Sequence, residues 1–459
     1  MQQGNPTSLR VPDPGVAALL EQDARWQAWL DVEAALAKAE AELGMIPAAA
    51  ADEIVRKCDL SLFDRDRLAE GFQRTGHSLV PLIWELSRQC AGDAGNYVHW
   101  GATTQNITQT GDLLQLRKAH RVFLGQIGKI LAALADLAER SKDMALPGRT
   151  HGQHAVPATY GLKVAVWIDE FARHVERLSD CEPRVFQALL GGAAGTVASF
   201  GDQGMEVQAR MAAYLEMGAM AVPARSIMDH LAEHIMILAL LAASCGKFAN
   251  EIYIGMKQEF AEVEEPISPG TVGSSTMPQK RNPHLSQDVM AYAAQIRAMV
   301  PLALEAVMTE HEAKRQTSLM MRQAQNQVCV LLGDTLERVR ILAEGLVLKP
   351  ERMRANLDLT DGLIMAEPIM LALGEHVGRQ EAHDIVYDAA QAAAGGTVRF
   401  SDLLAADARI ARHLTHRQIE SLLDPTQYTG LCSRLAVEQA ARARKLSGEL
   451  AVALGRPSS

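Results

Sequence analysis

The sequence predicts an all-α fold built around a bundle of long helices. Hydrophobic residues make up 48% of the chain and aromatics only 5%. The apolar mass is therefore Ala, Leu, Val, Ile and Met, a mix that favours helices packed through small side chains. Several stretches keep apolar residues at helical spacing well beyond about 25 residues. Strand signals are nearly absent, with no Asn-Gly turn between alternating Val/Ile/Thr runs. At 459 residues the chain has room for two or three domains and a large core.

In chain order, the first element is an amphipathic helix over Asp23–Leu43, with Trp26, Trp29, Leu30, Val32, Leu36 and Ala39 at helical spacing. Gly44 and Pro47 close it. A second helical pattern, Leu79–Cys90, ends at Gly92-Asp93-Ala94-Gly95-Asn96, and together these define a first helical domain over residues 1–105. The central domain, 106–349, carries periodic stretches at Thr110–Met144, Ala158–Leu190, Met228–Val263, Leu285–Thr309 and Leu319–Leu346, with a candidate catalytic loop over 268–283. Continuous apolar faces on so many long helices exceed what one subunit easily buries, which predicts self-association. Gly191–Gly195 reads as a flexible connector; no strand precedes it, so it is not a nucleotide-binding glycine loop. Pro350 opens a C-terminal helical domain, 350–459, of shorter helices and turns.

Charge and cysteine usage exclude several classes. The formal net charge is -10 with no long basic run, which argues against nucleic-acid and membrane-surface partners. An anionic substrate must then meet local cations, for which Arg149, Lys280 and Arg281 are candidates. The six cysteines form no CxxC pair and read as idle thiols in a reducing cytoplasm. Met1–Val11 is polar and lacks a signal core. The most lipophilic run, Ile235–Cys245, is shorter than the roughly 20 helical residues that span a bilayer. The expectation is a soluble, cytoplasmic protein.

The chemistry concentrates in Gly273-Ser274-Ser275-Thr276-Met277-Pro278-Gln279-Lys280-Arg281-Asn282-Pro283, a segment that Gly270 and Pro278 keep out of a regular helix. A loop hydroxyl acts as a base only where amides and a cation hold its anion. Ser274 or Ser275 offers the hydroxyl, the Gly-Ser-Ser amides offer donors, and Lys280 with Asn282 can grip a carboxylate. A plain Gly/Ser/Pro surface loop is the bland alternative. Two histidine pairs, His151/His154 and His230/His234, have spacings that suit one helix face and hence zinc. Neither has the His-Glu-x-x-His order and no cysteine cluster completes a ligand set, so no metal site is expected.

The eleven-residue segment resembles the GSSxMPxKxN loop of the fumarase/aspartase superfamily. Gly101-Ala102-Thr103-Thr104-Gln105-Asn106 is similar to that superfamily's first motif. Gly148-Arg149-Thr150-His151-Gly152-Gln153-His154-Ala155 resembles the second motif of adenylosuccinate lyases, and the three occur in the family's order. The resemblance runs from about Asp23 to Leu446. It implies a three-domain fold whose long helices form a twenty-helix core in a homotetramer, with each active site drawn from three chains.

The resemblance also implies roles. Ser274, with Ser275 second, removes the proton beside a carboxylate, and His151 protonates the leaving group. Thr103, Thr104, Gln105, Thr150, Lys280 and Asn282 bind the substrate carboxylates, and His77 lies where adenylosuccinate lyases carry another active-site histidine. Local chemistry offers plainer readings: His77 beside Ser78 and Thr103-Thr104 also suit helix starts. The acidic run Glu262–Glu265 reads as a solvated face or as a counterion to Lys280.

The implied activity is anti β-elimination from a small dicarboxylate, without organic or metal cofactor. Asn356-Leu357-Asp358-Leu359-Thr360 and Leu423-Asp424-Pro425 resemble 3-carboxy-cis,cis-muconate cycloisomerase, yet that branch usually lacks the histidine found here as His151. Adenylosuccinate lyases usually carry an Arg-Tyr-Ser element near the N-terminus, which this chain lacks, and an Arg-Asp pair common to both branches appears as Met228-Asp229. The favoured expectation is C–N cleavage of an N-substituted aspartate to release fumarate. Cycloisomerisation is the alternative, and a non-catalytic structural homologue the third reading.

Overall fold

The computed structural model describes residues 6–267, 270, 272 and 274–455. Helix α1 (Gln22–Glu42) buries Trp29, Leu30, Val32, Leu36 and Ala39, the stripe its spacing predicts. It packs with α2 (Arg65–Thr75) and α3 (Val80–Gln89) around a first apolar cluster that includes Phe63, Leu68 and Leu82. Trp26 stacks on Phe72 with ring centres 5.0 Å apart.

Helix α4 (Thr104–Arg140) is the spine of the molecule. Its 37 residues make a rod of roughly 55 Å at 1.5 Å per residue. It begins six residues earlier than the apolar stripe indicates, because Thr103 caps it: the Asn106 carboxamide accepts the Thr103 N–H at 3.1 Å. The sequence 106–140 holds no proline, and the helix stops at Ser141, whose Oγ turns back to the Leu137 carbonyl at 2.6 Å.

A hairpin follows that the periodicity does not reveal. Strands β1 (Ala145–Thr150) and β2 (Gln153–Thr159) pair antiparallel, with Thr150 opposite Gln153. The turn is His151-Gly152, both left-handed at φ 53° and 78°, which is the two-residue type I′ geometry. A histidine stands where Asn normally signals this turn, and facing prolines Pro147 and Pro157 obscure the alternation. His151 and His154 are thus on a hairpin and do not share a helix face.

Helices α5 (Tyr160–Val185), α6 (Asp229–Gly255), α7 (His284–Ala298) and α8 (Arg315–Gly345) complete the bundle. Their core with α4 contains Phe123, Trp167, Phe171, Phe248 and Leu336. The predicted Leu285–Thr309 helix is broken before Val300–Glu305, where Pro301 starts a new turn. Helix α6 runs for 27 residues with a mean hydropathy of 1.5 in its most apolar window. The length argument made from Ile235–Cys245 therefore fails. Half of that window is buried inside the protomer, and α6 packs against α5, α7 and α8 as a bundle member.

Gly191–Gly195 is a docked segment and not a flexible connector. A Cβ on Gly191 would lie 1.9 Å from the Pro223 carbonyl oxygen, so two backbones touch where only glycine fits. The Gly192 N–H donates to Asn106 Oδ1 at 3.1 Å. Towards the C-terminus, Ile369, Leu373, Ile385, Phe400, Ile410 and Ile419 form a separate cluster. The chain then departs from the expected short helices: α9 (Cys432–Gly455) spans 24 residues and returns to pack on α4 and α5. Its buried Ala436, Ala440 and Ala443 permit the close approach.

Candidate active site

A cleft of about 460 Å³ opens at the N-terminal end of α4. His77, Thr104 and Gln105 line it together with Arg225, Lys314, Arg315 and Arg322. His77 sits in the α2–α3 turn. Its Nδ1 accepts the N–H groups of Leu79 and Val80 at 3.3 and 3.1 Å. An imidazole that accepts at Nδ1 carries its neutral-state proton on Nε2, and Nε2 lies 3.5 Å from Thr104 Oγ1. The helix-start and active-site readings of His77 are therefore compatible: one nitrogen starts α3 while the other faces the cleft.

Gln105 is held from both sides. Its Oε1 accepts Arg225 Nε at 3.0 Å, and its Nε2 donates to Gln109 Oε1 and the Arg225 carbonyl. Arg225 also donates to the Ala193 carbonyl at 2.7 Å, so the docked glycine segment supports the cleft wall. Burial pulls the Arg225 guanidinium below its usual pKa. Arg225, Lys314, Arg315 and Arg322 carry no motif and were missed from the sequence. The one signal was the Lys314-Arg315 pair at the head of a long helix.

The second motif lies elsewhere. Thr150 and His151 are exposed at the hairpin tip, and the His151 side chain has no hydrogen-bond partner among the described residues. The base of the hairpin is tied to the far end of α4: Tyr160 N–H bonds to Met144 O and Gly161 N–H to Ser141 O, both at 2.9 Å. With α4 roughly 55 Å long and a hairpin of about 20 Å, the tip stays on the order of 30 Å from Thr104 of the same chain. One protomer does not bring these two motifs together.

Arg149, read as a substrate cation, has another partner. It forms a two-pronged pair with Glu262 at 3.0 and 2.6 Å, and Asn356 Nδ2 donates to the same carboxylate at 2.8 Å. The acidic run is likewise no solvated face. Glu262 and Glu265 are buried, and Glu264 meets Arg281 at 2.8 Å and Lys349 at 3.0 Å. Glu265 accepts the Leu285 and Ser286 N–H groups at the start of α7. The partners of these carboxylates are Arg149, Arg281, Lys349 and a helix N-terminus, in place of Lys280.

In the third motif, Ser274 Oγ accepts the N–H of Met277 at 3.1 Å and of Thr276 at 3.4 Å. Two backbone dipoles thus point at this hydroxyl oxygen, although they come from residues after it and not from the Gly-Ser-Ser amides. Ser268, Pro269, Thr271 and Gly273 of the 268–283 loop lie outside the described residues. Ser275 and Lys280 are exposed and Asn282 half-buried. None of Thr150, His151, Ser274, Lys280 or Asn282 lines the cleft of this protomer.

His230 and His234 are buried in the bundle. His234 Nε2 lies 3.2 Å from His120 Nδ1, whose Nε2 lies 3.2 Å from Glu182. Burial, with His120 alongside, pushes His234 down to about 3. Among the described residues no group of three or more His, Cys, Asp or Glu side chains is arranged to hold a metal.

The molecule is thus a helical bundle with three dispersed polar motifs and a cationic cleft at the head of its longest helix. The sequence profile described as Lyase matches residues 10–298, and that described as Adenylosuccinate lyase C-terminus matches 362–438. The chain is 38% identical to N-acetyl-S-(2-succino)cysteine lyase of Enterococcus italicus, over 91% of each chain. It is also 38% identical to adenylosuccinate lyase of Methanothermobacter thermautotrophicus, over 94% of this chain and 97% of that one. The solved 3-carboxy-cis,cis-muconate lactonizing enzyme of Pseudomonas putida superposes with a TM-score of 0.85 at 32% identity, covering 95% of this chain and 97% of that one. The chain belongs to the fumarase/aspartase lyase superfamily, in the branch that holds adenylosuccinate lyase and 3-carboxymuconate cycloisomerase.

Proposed function

We propose that the protein cleaves the C–N bond of an N-substituted aspartate by anti β-elimination and releases fumarate. The observation that carries the elimination step is the pair of backbone N–H groups on Ser274 Oγ. Donors already aimed at a hydroxyl oxygen stabilise its anion, which is what a serine needs to take a weakly acidic proton. Ser274 removes the proton from the carbon beside one carboxylate. The electron pair left there forms the new double bond as the bond to nitrogen breaks. His151 delivers a proton to the departing nitrogen. Lys280, Asn282, Thr104 and Thr150 hold the two carboxylates, and Thr103, Gln105 and His77 support them from the head of α4.

His151 favours amine departure over cycloisomerisation. An amine leaves as a neutral molecule only when protonated, whereas addition of a carboxylate across a double bond asks for no acid at a leaving nitrogen. The estimated separation of His151 from Thr104 supports a further element of the reading: each site is completed by other copies of the chain, in a homotetramer. A second reading rests on the succinocysteine relative. Cleavage of a C–S bond uses the same carbanion step and a better leaving group, since a thiol has a pKa near ~8.5.

The test is a substrate panel followed by the ultraviolet absorbance of the unsaturated diacid. N-substituted aspartates are expected to turn over faster than S-succinyl thiols and 3-carboxymuconate. Turnover confined to 3-carboxymuconate would overturn the reading.

A further inference from the structure

Asp112 lies two turns along α4 from Thr104 and lines the cleft, yet belongs to none of the three motifs. Its Oδ1 accepts Trp29 Nε1 at 3.1 Å and faces Arg25 Nε at 3.2 Å. Its Oδ2 accepts Arg322 Nε at 3.2 Å. Arg25 continues to Asn326 Oδ1 at 3.1 Å, one turn past Arg322 on α8. Helices α1, α4 and α8 therefore meet at one carboxylate whose side chain is 17% exposed.

The charges do not cancel. Two guanidiniums face a single carboxylate, so the junction keeps one net positive charge at the cleft wall. Arg322 is bonded to Asp112 through Nε alone. Its two terminal nitrogens have no hydrogen-bond partner among the described residues, and its side chain is 33% exposed. A guanidinium fixed at Nε presents its terminal N–H groups as a fork that matches a carboxylate.

We propose that Asp112 is a positioning residue: it aims the Arg322 guanidinium into the cleft, where the terminal nitrogens grip a carboxylate of the substrate. The inference rests on the reading that this cleft receives a dicarboxylate. A purely structural junction would need Asp112 equally for Arg25, and that difference provides the control.

The experiment measures steady-state kinetics and calorimetric fumarate binding for the full chain and for Asp112→Asn, Arg322→Gln, their double variant and Arg25→Gln. Asp112→Asn places an amide N–H donor beside the guanidinium. It is expected to raise KM and weaken fumarate binding by roughly tenfold, with kcat nearly unchanged, the usual worth of a charge-assisted hydrogen bond. The double variant is expected to bind no worse than Arg322→Gln alone, and Arg25→Gln to keep a near-normal KM. Additive losses in the double variant, or an Arg25→Gln enzyme as impaired as Asp112→Asn, would overturn the proposal. Should Asp112→Asn fail to fold, Asp112→Glu keeps the charge but displaces the fork, and the same KM increase is expected. A normal KM in Asp112→Glu would then count against the positioning role. Wild-type protein with no affinity for fumarate would instead sink the substrate reading itself.

Discussion

The two ends of α4 are built differently. At its head, His77, Thr104, Gln105, Arg225 and Asp112 are each fixed by at least one hydrogen bond to a neighbouring element. The cleft there is organised within one protomer. Past its tail, the hairpin carries His151 into solvent on a tight turn, while its strands are anchored at the base by Tyr160 and Gly161 and nearer the tip by Arg149, Glu262 and Asn356. The difference teaches that one end is organised and the other presented. We propose that the two are half-sites that meet between chains.

The largest effect expected on this contrast is at Ser274. Its replacement by Ala removes the proposed base, and turnover is expected to fall on the order of 10⁴-fold with the circular-dichroism spectrum unchanged. His151→Asn comes next, with a loss of roughly 10²–10⁴-fold if it supplies the proton for amine departure. A His151→Asn enzyme of near-normal rate beside a dead Ser274→Ala enzyme would point to the cycloisomerase.

The Arg149 anchor of the hairpin is a matter of stability. Glu262→Ala strips a buried partner from Arg149 and leaves Asn356 Nδ2 with only the Phe260 carbonyl. Chemical denaturation is expected to show a loss of about 3 kcal/mol, the typical result of breaking one side of a buried pair.

The smallest effect belongs to the bundle core. His234 stays neutral in the fold down to about 3, whereas an unfolded histidine takes up its proton near 6.5. Its contribution to stability is thus present above about 6.5 and is lost as pH falls from there towards 3. Thermal melts are expected to drop between pH 7 and pH 5, and His234→Gln to flatten that slope.

Regular elements were legible where one physical signal dominated. Trp29, Leu30, Val32 and Leu36 repeat at helical spacing because one face of α1 is buried, and the structure keeps that face. The hairpin was invisible because its signal is a turn geometry, and His151 at φ 53° has no compositional mark. Gly191 was misread for a related reason: a glycine needed for backbone contact looks the same in sequence as one that gives flexibility. Of the motif residues named from the string alone, Thr104 lines the cleft, whereas Ser274 and His151 lie away from it in this chain. Asp112 and Arg225 could not be named that way, since their significance lies in contacts across helices far apart in sequence.

The central claim, that the head of α4 and the hairpin tip complete each other between chains, is tested by mixing two defective proteins. His77→Gln damages the cleft and His151→Asn damages the tip, and each alone is expected to be nearly inactive. After denaturation together and refolding at equal amounts, the shared-site account predicts recovery of roughly a quarter of wild-type activity, because about one site in four draws both intact residues from different chains. No recovery from a well-folded mixed oligomer would contradict it.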